Sequence, residues 1–285
     1  MKKLIVTGAN GQLGRAINQV YAGSSEYECV NTDVQDLDIT KIDAVLRYVD
    51  EVKPYAIINC AAHTNVNGCE TDVDNAYRIN AIGPRNLSIA ASRAGAKLMH
   101  VSTDYVFDGH ASVPYTEFDT PNPEAVYGKT KLAGEQFVKE FAKDYFIVRT
   151  AWLYGDGKNF VKTMLSLSET HDRVTVVGDQ FGSPTSADEL AKAIAHLLPT
   201  DNFGVFHGTC EGITNWADFT REIYRLAGKT TEVITVTSEE YEKNATGVVA
   251  PRPAYSVLEN YMLKLTTNHM FSDWEKAIAE YIRNM

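Results

Sequence analysis

Tyr127 and Lys131 stand four residues apart in Tyr-Gly-Lys-Thr-Lys, downstream of Ser102-Thr103-Asp104-Tyr105. On a helix that spacing turns the phenol and the amine to one face. A free tyrosine loses its proton near pH 10, and an adjacent ammonium favours the phenolate. The phenol can then act as acid or base closer to neutrality. Lys131 can also bond the ribose hydroxyls of a nicotinamide nucleotide, and the Thr103 hydroxyl can hold a reacting carbonyl oxygen. Beside a bound nicotinamide, this set moves a hydride to or from a carbonyl. The Tyr-x-x-x-Lys spacing alone recurs by chance on surface helices. A strand-end Ser-Thr and an upstream glycine turn give it meaning.

That turn is Thr7-Gly8-Ala-Asn-Gly11-Gln-Leu-Gly14, between a strand and a helix. Such a context is what a dinucleotide fingerprint requires, although the spacing is GxxGxxG and not GxGxxG. Gly8 permits the tight turn, Gly11 lets backbone approach a pyrophosphate, and Gly14 lets the helix pack on the strand. The helix N-terminus offers unpaired N–H donors to phosphates. Asp33 ends the second strand, where a carboxylate can accept from an adenosine ribose. A 2′-phosphate would meet like charge there, so NADH is expected over NADPH. Asp38-Ile39 is expected to border the adenine.

Around these residues, strand and helix signals alternate through the first half. Apolar runs at Leu4–Val6, Tyr27–Thr32, Ala56–Cys60, Lys97–Ser102 and Tyr145–Arg149 read as strands. Between them come helical stripes: Leu13, Ala16, Ile17 and Val20, then Ile42, Val45, Leu46 and Val49. Thr40 is the expected N-cap of the second helix, and Gly95 the C-cap of an alanine-rich segment ending at Arg93. This is an α/β chain with a Rossmann-type, doubly wound parallel sheet. Beyond Arg149 the regularity breaks, although helices are expected over 186–198, 215–227 and 273–283, the last capped by Ser272. We expect a dinucleotide-binding domain over 1–150, with later segments returning to it, and a smaller α/β substrate lobe mainly over 151–285.

The chain has 27 basic and 37 acidic side chains, a net charge of −10. That balance argues against general nucleic-acid or anionic-membrane binding. No stretch approaches the ~20 apolar residues of a membrane span. Cys29, Cys60, Cys69 and Cys210 form no CxxC and read as reduced thiols of a cytoplasmic protein, with no metal site expected. His63 is expected to touch a cofactor through its backbone, while His100, His196 and His207 read as satisfied or half-buried histidines. Arg252, in Pro-Arg-Pro, offers a fork suited to pyrophosphate oxygens. Trp152 could pack on a sugar or base, or simply in the core. The acidic run Ser238–Glu242 reads as a solvated helix face.

The segments TGANGQLG, AAHT, STDYVFDG and YGKTKLAGE resemble the extended short-chain dehydrogenase/reductase superfamily and, within it, the dTDP-4-dehydrorhamnose reductase family. The resemblance runs the whole length, through RTAWLYG, DQFGSPTS and Arg252-Pro253. It implies a nucleotide sugar held between the Rossmann sheet and a carboxyl-terminal lobe. Tyr127 would be the proton donor, Lys131 its modulator and Thr103 the third catalytic member. Asp104, Tyr105 and Trp152 would contact the sugar. Gly11, Gln12, Leu13, Asp38, Ile39, Ala61, Ala62, His63 and Val101 would border NADH or NADPH. Sugar-nucleotide dehydratases carry a glutamate where Tyr105 stands, so reduction without loss of water fits better.

Two positions depart from the family. Ala16 replaces a glutamate that helps some members bridge a homodimer through magnesium, so that metal is not expected. Asn67 replaces an aspartate of HTxVDxxE. The alternatives are a reductase of another nucleotide-linked 4-ketodeoxysugar and a non-catalytic dinucleotide-binding regulatory subunit.

Overall fold

The computed structural model describes residues 1–243 and 246–285. Five strands and the helices between them follow in alternation: β1 (Lys2–Thr7), α1 (Gln12–Tyr21), β2 (Tyr27–Thr32), α2 (Ile42–Val52), β3 (Ala56–Asn59), α3 (Gly83–Ala94), β4 (Lys97–Thr103), α4 (Val126–Phe141) and β5 (Tyr145–Thr150). The second half adds α5 (Ala187–Leu197) and β6 (Gly204–His207). The strands pair in the order β6-β5-β4-β3-β1-β2, and every pairing is parallel.

A parallel sheet must be covered on both faces, and the strand sequences show how. Leu4, Val6, Ile58, Met99, Phe146 and Val148 point to one side, into a core shared with Leu13 and Ile17 of α1 and Leu190 and Ile194 of α5. Ile5, Ile57, Leu98 and Ile147 alternate to the other, where Val45 and Val49 of α2, Leu87 of α3 and Val138 of α4 cover them. Ala16 is buried in the first core. The alternation has period two along each strand, so both faces are specified by sequence.

Past Thr150 the chain builds short sheets: Leu153–Tyr154 with Thr185–Ser186, Arg173–Val177 with Glu232–Val236, and Phe181–Gly182 with Thr214–Asn215. A segment from Ala250 to Leu258 crosses back to the first half. The Ala250 N–H donates to Asn67 Oδ1 at 3.1 Å, Tyr255 N–H to the Gly109 carbonyl, and Tyr115 N–H to the Val257 carbonyl.

Two expected caps are corrected. Thr40 does not cap α2, which begins after Lys41 with no side-chain cap, because the Thr40 hydroxyl donates to Asp38 Oδ1. The last helix, Trp274–Arg283, is capped by Asp273, which accepts from Glu275 N–H, while the Ser272 N–H donates to Glu189. Gly95 ends α3 with φ +66°, the left-handed conformation its position needs. Residues Ser238–Lys243 form a helix with no buried residue.

Candidate active site

A cavity of about 820 Å³ runs along the carboxyl ends of the sheet strands, from the glycine turn to Trp152, Trp216 and Ser256. This is where open parallel sheets place ligands. Of the residues singled out above, Gly8, Gly11, Gln12, Leu13, Gly14, Asp33, Asp38, Ile39, Ala61, Ala62, Val101, Thr103, Asp104, Tyr105, Tyr127, Lys131 and Trp152 line it. His63 and Arg252 do not.

The glycine turn is a cradle that side chains would fill. Gly8 has φ +63°, and a Cβ there would fall 2.9 Å from backbone atoms of Ala61; on Gly14 it would fall 2.5 Å from the Gly8 carbonyl oxygen. Gly11 is the N-cap of α1 and supplies no capping side chain, leaving the first N–H groups of the helix for a ligand. Among the described residues, four buried polar atoms along the same cavity lack a hydrogen bond: Gln12 Oε1, Ser102 Oγ, Asp104 Oδ2 and Thr150 Oγ1. A backbone cradle with unpaired donors, followed by buried hydroxyls, fits an extended phosphate-bearing molecule such as a dinucleotide. At the far rim Asp33 accepts from Val34 N–H at 2.8 Å and Asn10 N–H at 3.3 Å. Asp38 Oδ1 takes both the N–H and the O–H of Thr40, which hold its carboxyl below the usual range. Ile39 packs on Gly83, where a Cβ would come within 2.6 Å of its Cδ1.

Tyr127 and Lys131 project from α4 into the middle of the cavity. The helix starts where it does because Glu70 Oε1 accepts from Val126 N–H at 2.8 Å, a carboxylate at a helix N-terminus. Two glycines seat it. A Cβ on Gly128 would lie 2.0 Å from the Tyr105 carbonyl oxygen, and one on Gly134 2.3 Å from that of Asn80. Lys131 is 2% exposed and donates to the Val101 carbonyl at 2.7 Å. Burial lowers its pKa to about 8, with Glu135 opposing. Tyr127 stands one turn before Lys131 on α4. Burial drives the phenol above its ordinary value, and the influence opposing it comes from the Thr103 hydroxyl. The phenol therefore stays protonated through the neutral range, the form a proton donor needs.

Thr103, at the end of β4, donates to Asp104 Oδ1 at 2.9 Å and accepts from Tyr105 N–H. Asp104 is 2% exposed, and burial raises its pKa to about 6 against the hydroxyls of Ser256 and Thr103. The Tyr105 ring meets Tyr127 edge-on with centroids 5.4 Å apart. Its phenol is pushed up by burial and accepts from Arg252 Nη1 at 3.1 Å, so Arg252 reaches the site through Tyr105. Trp152 has φ +48°, a conformation rare for a large side chain. Its indole stacks on Trp216 with centroids 3.5 Å apart, and a Cβ on Gly182 would come within 2.5 Å of it.

The His63 ring sits 3.2 Å from Cys69 Sγ, and Asn80 clamps its backbone, accepting from the N–H and donating to the carbonyl. Asn80 lies in a π-helical turn at Arg78–Ile82 and also donates to Thr130 of α4. Sequence reasoning gave no role to Thr150, Trp216, Gln180 or Ser256, all in the cavity wall. Thr150 carried a usable signal, since it ends β5 beside Thr103 in register. Trp216 carried none. Among the described residues no three His, Cys, Asp or Glu side chains are grouped to hold a metal, the four cysteines are free, and no helix is long and apolar enough to cross a membrane.

The family model described as "RmlD substrate binding domain" matches residues 1–285. The chain belongs to this RmlD family. A solved structure titled as a dTDP-4-dehydrorhamnose reductase from Clostridium acetobutylicum is 52% identical, with 99% of each chain covered and a TM-score of 0.95. Another from Bacillus anthracis, in complex with NADP, is 42% identical over the full length of both chains, again at 0.95. A Streptomyces niveus protein named dTDP-4-keto-6-deoxy-D-glucose reductase is 42% identical over 79% of this chain and 78% of its own. Within the RmlD family, the Rossmann-type sheet described above is the expected frame.

Proposed function

We propose that this RmlD-family chain reduces the 4-keto group of dTDP-4-dehydro-6-deoxy-L-mannose (dTDP-4-dehydro-L-rhamnose) to give dTDP-L-rhamnose. The observation that carries the reading is that Thr103, Tyr127 and Lys131 share one cavity with the glycine cradle. The cradle, Asp33 and Lys131 would hold a reduced nicotinamide dinucleotide, which would supply the hydride. Asp33 favours NADH, and comparing KM for NADH and NADPH checks that preference. The Thr103 hydroxyl orients the ketone oxygen, and Tyr127 gives its phenolic proton to that oxygen as carbon 4 gains hydrogen. Lys131 bonds ribose hydroxyls and keeps a positive charge beside the developing anion. Asp104, Tyr105 and Trp152 contact the sugar, and Arg252 its diphosphate. Ketone, hydride and proton balance to an alcohol. Elimination of water is disfavoured, because a half-buried phenol at Tyr105, bonded by Arg252 and raised in pKa, is no base at neutral pH.

Tyr127→Phe should cut kcat by roughly 10²–10⁴-fold while NADH affinity holds. Turnover near the parent's rate would remove Tyr127 from the reaction. A second reading, favoured by the Streptomyces niveus relative, is a different nucleotide-linked 4-ketodeoxysugar as substrate. Assay against dTDP-, UDP- and GDP-ketosugars separates the two.

A further inference from the structure

One turn along α4 from Lys131 lies a buried ion pair with no part in the reaction as written. Glu135 follows Lys131 by one turn of α4 and is fully buried. Arg149 of β5 grips its carboxylate, donating from Nε at 2.9 Å and from Nη2 at 2.7 Å. The guanidinium is itself 2% exposed, with its carbon 5.2 Å from the Phe107 ring centroid. A buried ion pair is weak evidence for stability, since apolar residues of the same shape often serve as well. Its place calls for another reason.

We propose that Glu135, held by Arg149, is a positioning residue that keeps Lys131 an ammonium inside the protein and so sets the upper pH limit at which the site binds reduced dinucleotide and turns over. The proposal rests on the role given to Lys131 above. Among the described residues, what raises Lys131 against burial is Glu135 first and the Cys60 thiol second. Tyr127, on the same helix, is a protonated phenol. Cys60, past β3, is a thiol pushed by burial to about 12, and His100, in β4, is driven well below its ordinary value and stays neutral. Asp104, past β4, acts on the phenol of Tyr127. Glu135 is therefore the carboxylate that opposes the effect of burial on Lys131, while Arg149 fixes where that carboxylate sits.

The test compares Glu135→Gln with Glu135→Asp, reading NADH affinity by fluorescence and kcat/KM between pH 6 and 10. The parent should lose affinity and turnover above about 8. In Glu135→Gln the same limb should move down by roughly one pH unit or more, the range expected for losing a nearby opposite charge. Glu135→Asp keeps the charge and should restore the limb, even where both variants lose thermal stability. An unmoved limb in Glu135→Gln, or an equal shift in both, would mean the pair is structural only. Should Glu135→Gln fail to fold, Arg149→Gln takes its place: releasing the carboxylate from its guanidinium should move the limb up, and a limb that stays or falls overturns the proposal. NADH binding needs no ketosugar, so a protein that reduces none would sink the reaction above and leave this test readable.

Discussion

Asp104 is buried beside the reacting groups, and burial raises its pKa to about 6 from the usual value near 4. An acid whose pKa is higher in the folded state stabilises the fold while protonated. That contribution is complete below the unfolded value and is lost as pH rises through about 6. Two units correspond to about 3 kcal/mol. Asp104→Asn keeps an oxygen for the Thr103 hydroxyl and should melt above the parent at pH 8 while losing activity. The gap in Tm should widen from pH 4.5 to 7 and then flatten; a gap independent of pH would contradict this. At this scale the sequence showed which side chains share the cavity with the glycine turn, as at Thr103, Tyr127 and Lys131. It was silent where a role comes from a partner far along the chain. Trp216 enters the site by stacking on Trp152, and His63 leaves it because its ring meets Cys69.

On our reading helix α4 carries the chemistry, and its position is fixed by contacts that leave no room for a methyl group. Gly128→Ala would place a Cβ 2.0 Å from the Tyr105 carbonyl oxygen, so the helix or the Asp104–Val106 turn must shift. The expected cost is about 1–3 kcal/mol in chemical denaturation, with turnover falling further than stability because Tyr127 is the next residue. A variant with parental stability and turnover would show that α4 is not seated this way. The strands and long helices were legible because their apolar spacing is repeated over several turns or pairs. The caps were less so. Thr40 and Ser272 have the right residue types, but Asp38 takes the Thr40 hydroxyl and Asp273 caps the last helix instead. A capping side chain has several acceptors within reach, and local sequence does not rank them. The π-helical turn at Arg78–Ile82 also left no signal, since it adjusts a helix to put Asn80 against His63 and Thr130.

Across the whole molecule, the cavity is closed by a segment from the far end of the chain. Residues Ala250–Leu258 are tied to Asn67, Tyr105, Gly109 and Tyr115, and bring Pro253 and Ser256 into the wall. Asn67 serves this tie with an amide oxygen, so the departure from the family's aspartate keeps an acceptor there. Arg252→Ala removes the bond to Tyr105 and, on our reading, a charged contact to the sugar's diphosphate. KM for the nucleotide sugar should rise about tenfold or more while NADH affinity holds. An unchanged KM would return Arg252 to the surface. The first half of the molecule was legible because a glycine turn, parallel strands and helices form one repeated pattern. The second half was not, since short paired segments find partners only in three dimensions. The central claim is that hydrogen passes from the dinucleotide to the sugar ketone at this site, and one experiment bears on it directly. Purified protein is given dTDP-4-dehydro-L-rhamnose with NADH deuterated at nicotinamide carbon 4, each face in turn, and the product is read by NMR. Deuterium at carbon 4 of dTDP-L-rhamnose, from one face only, is the predicted result; product without the label from either face, or no product, contradicts it.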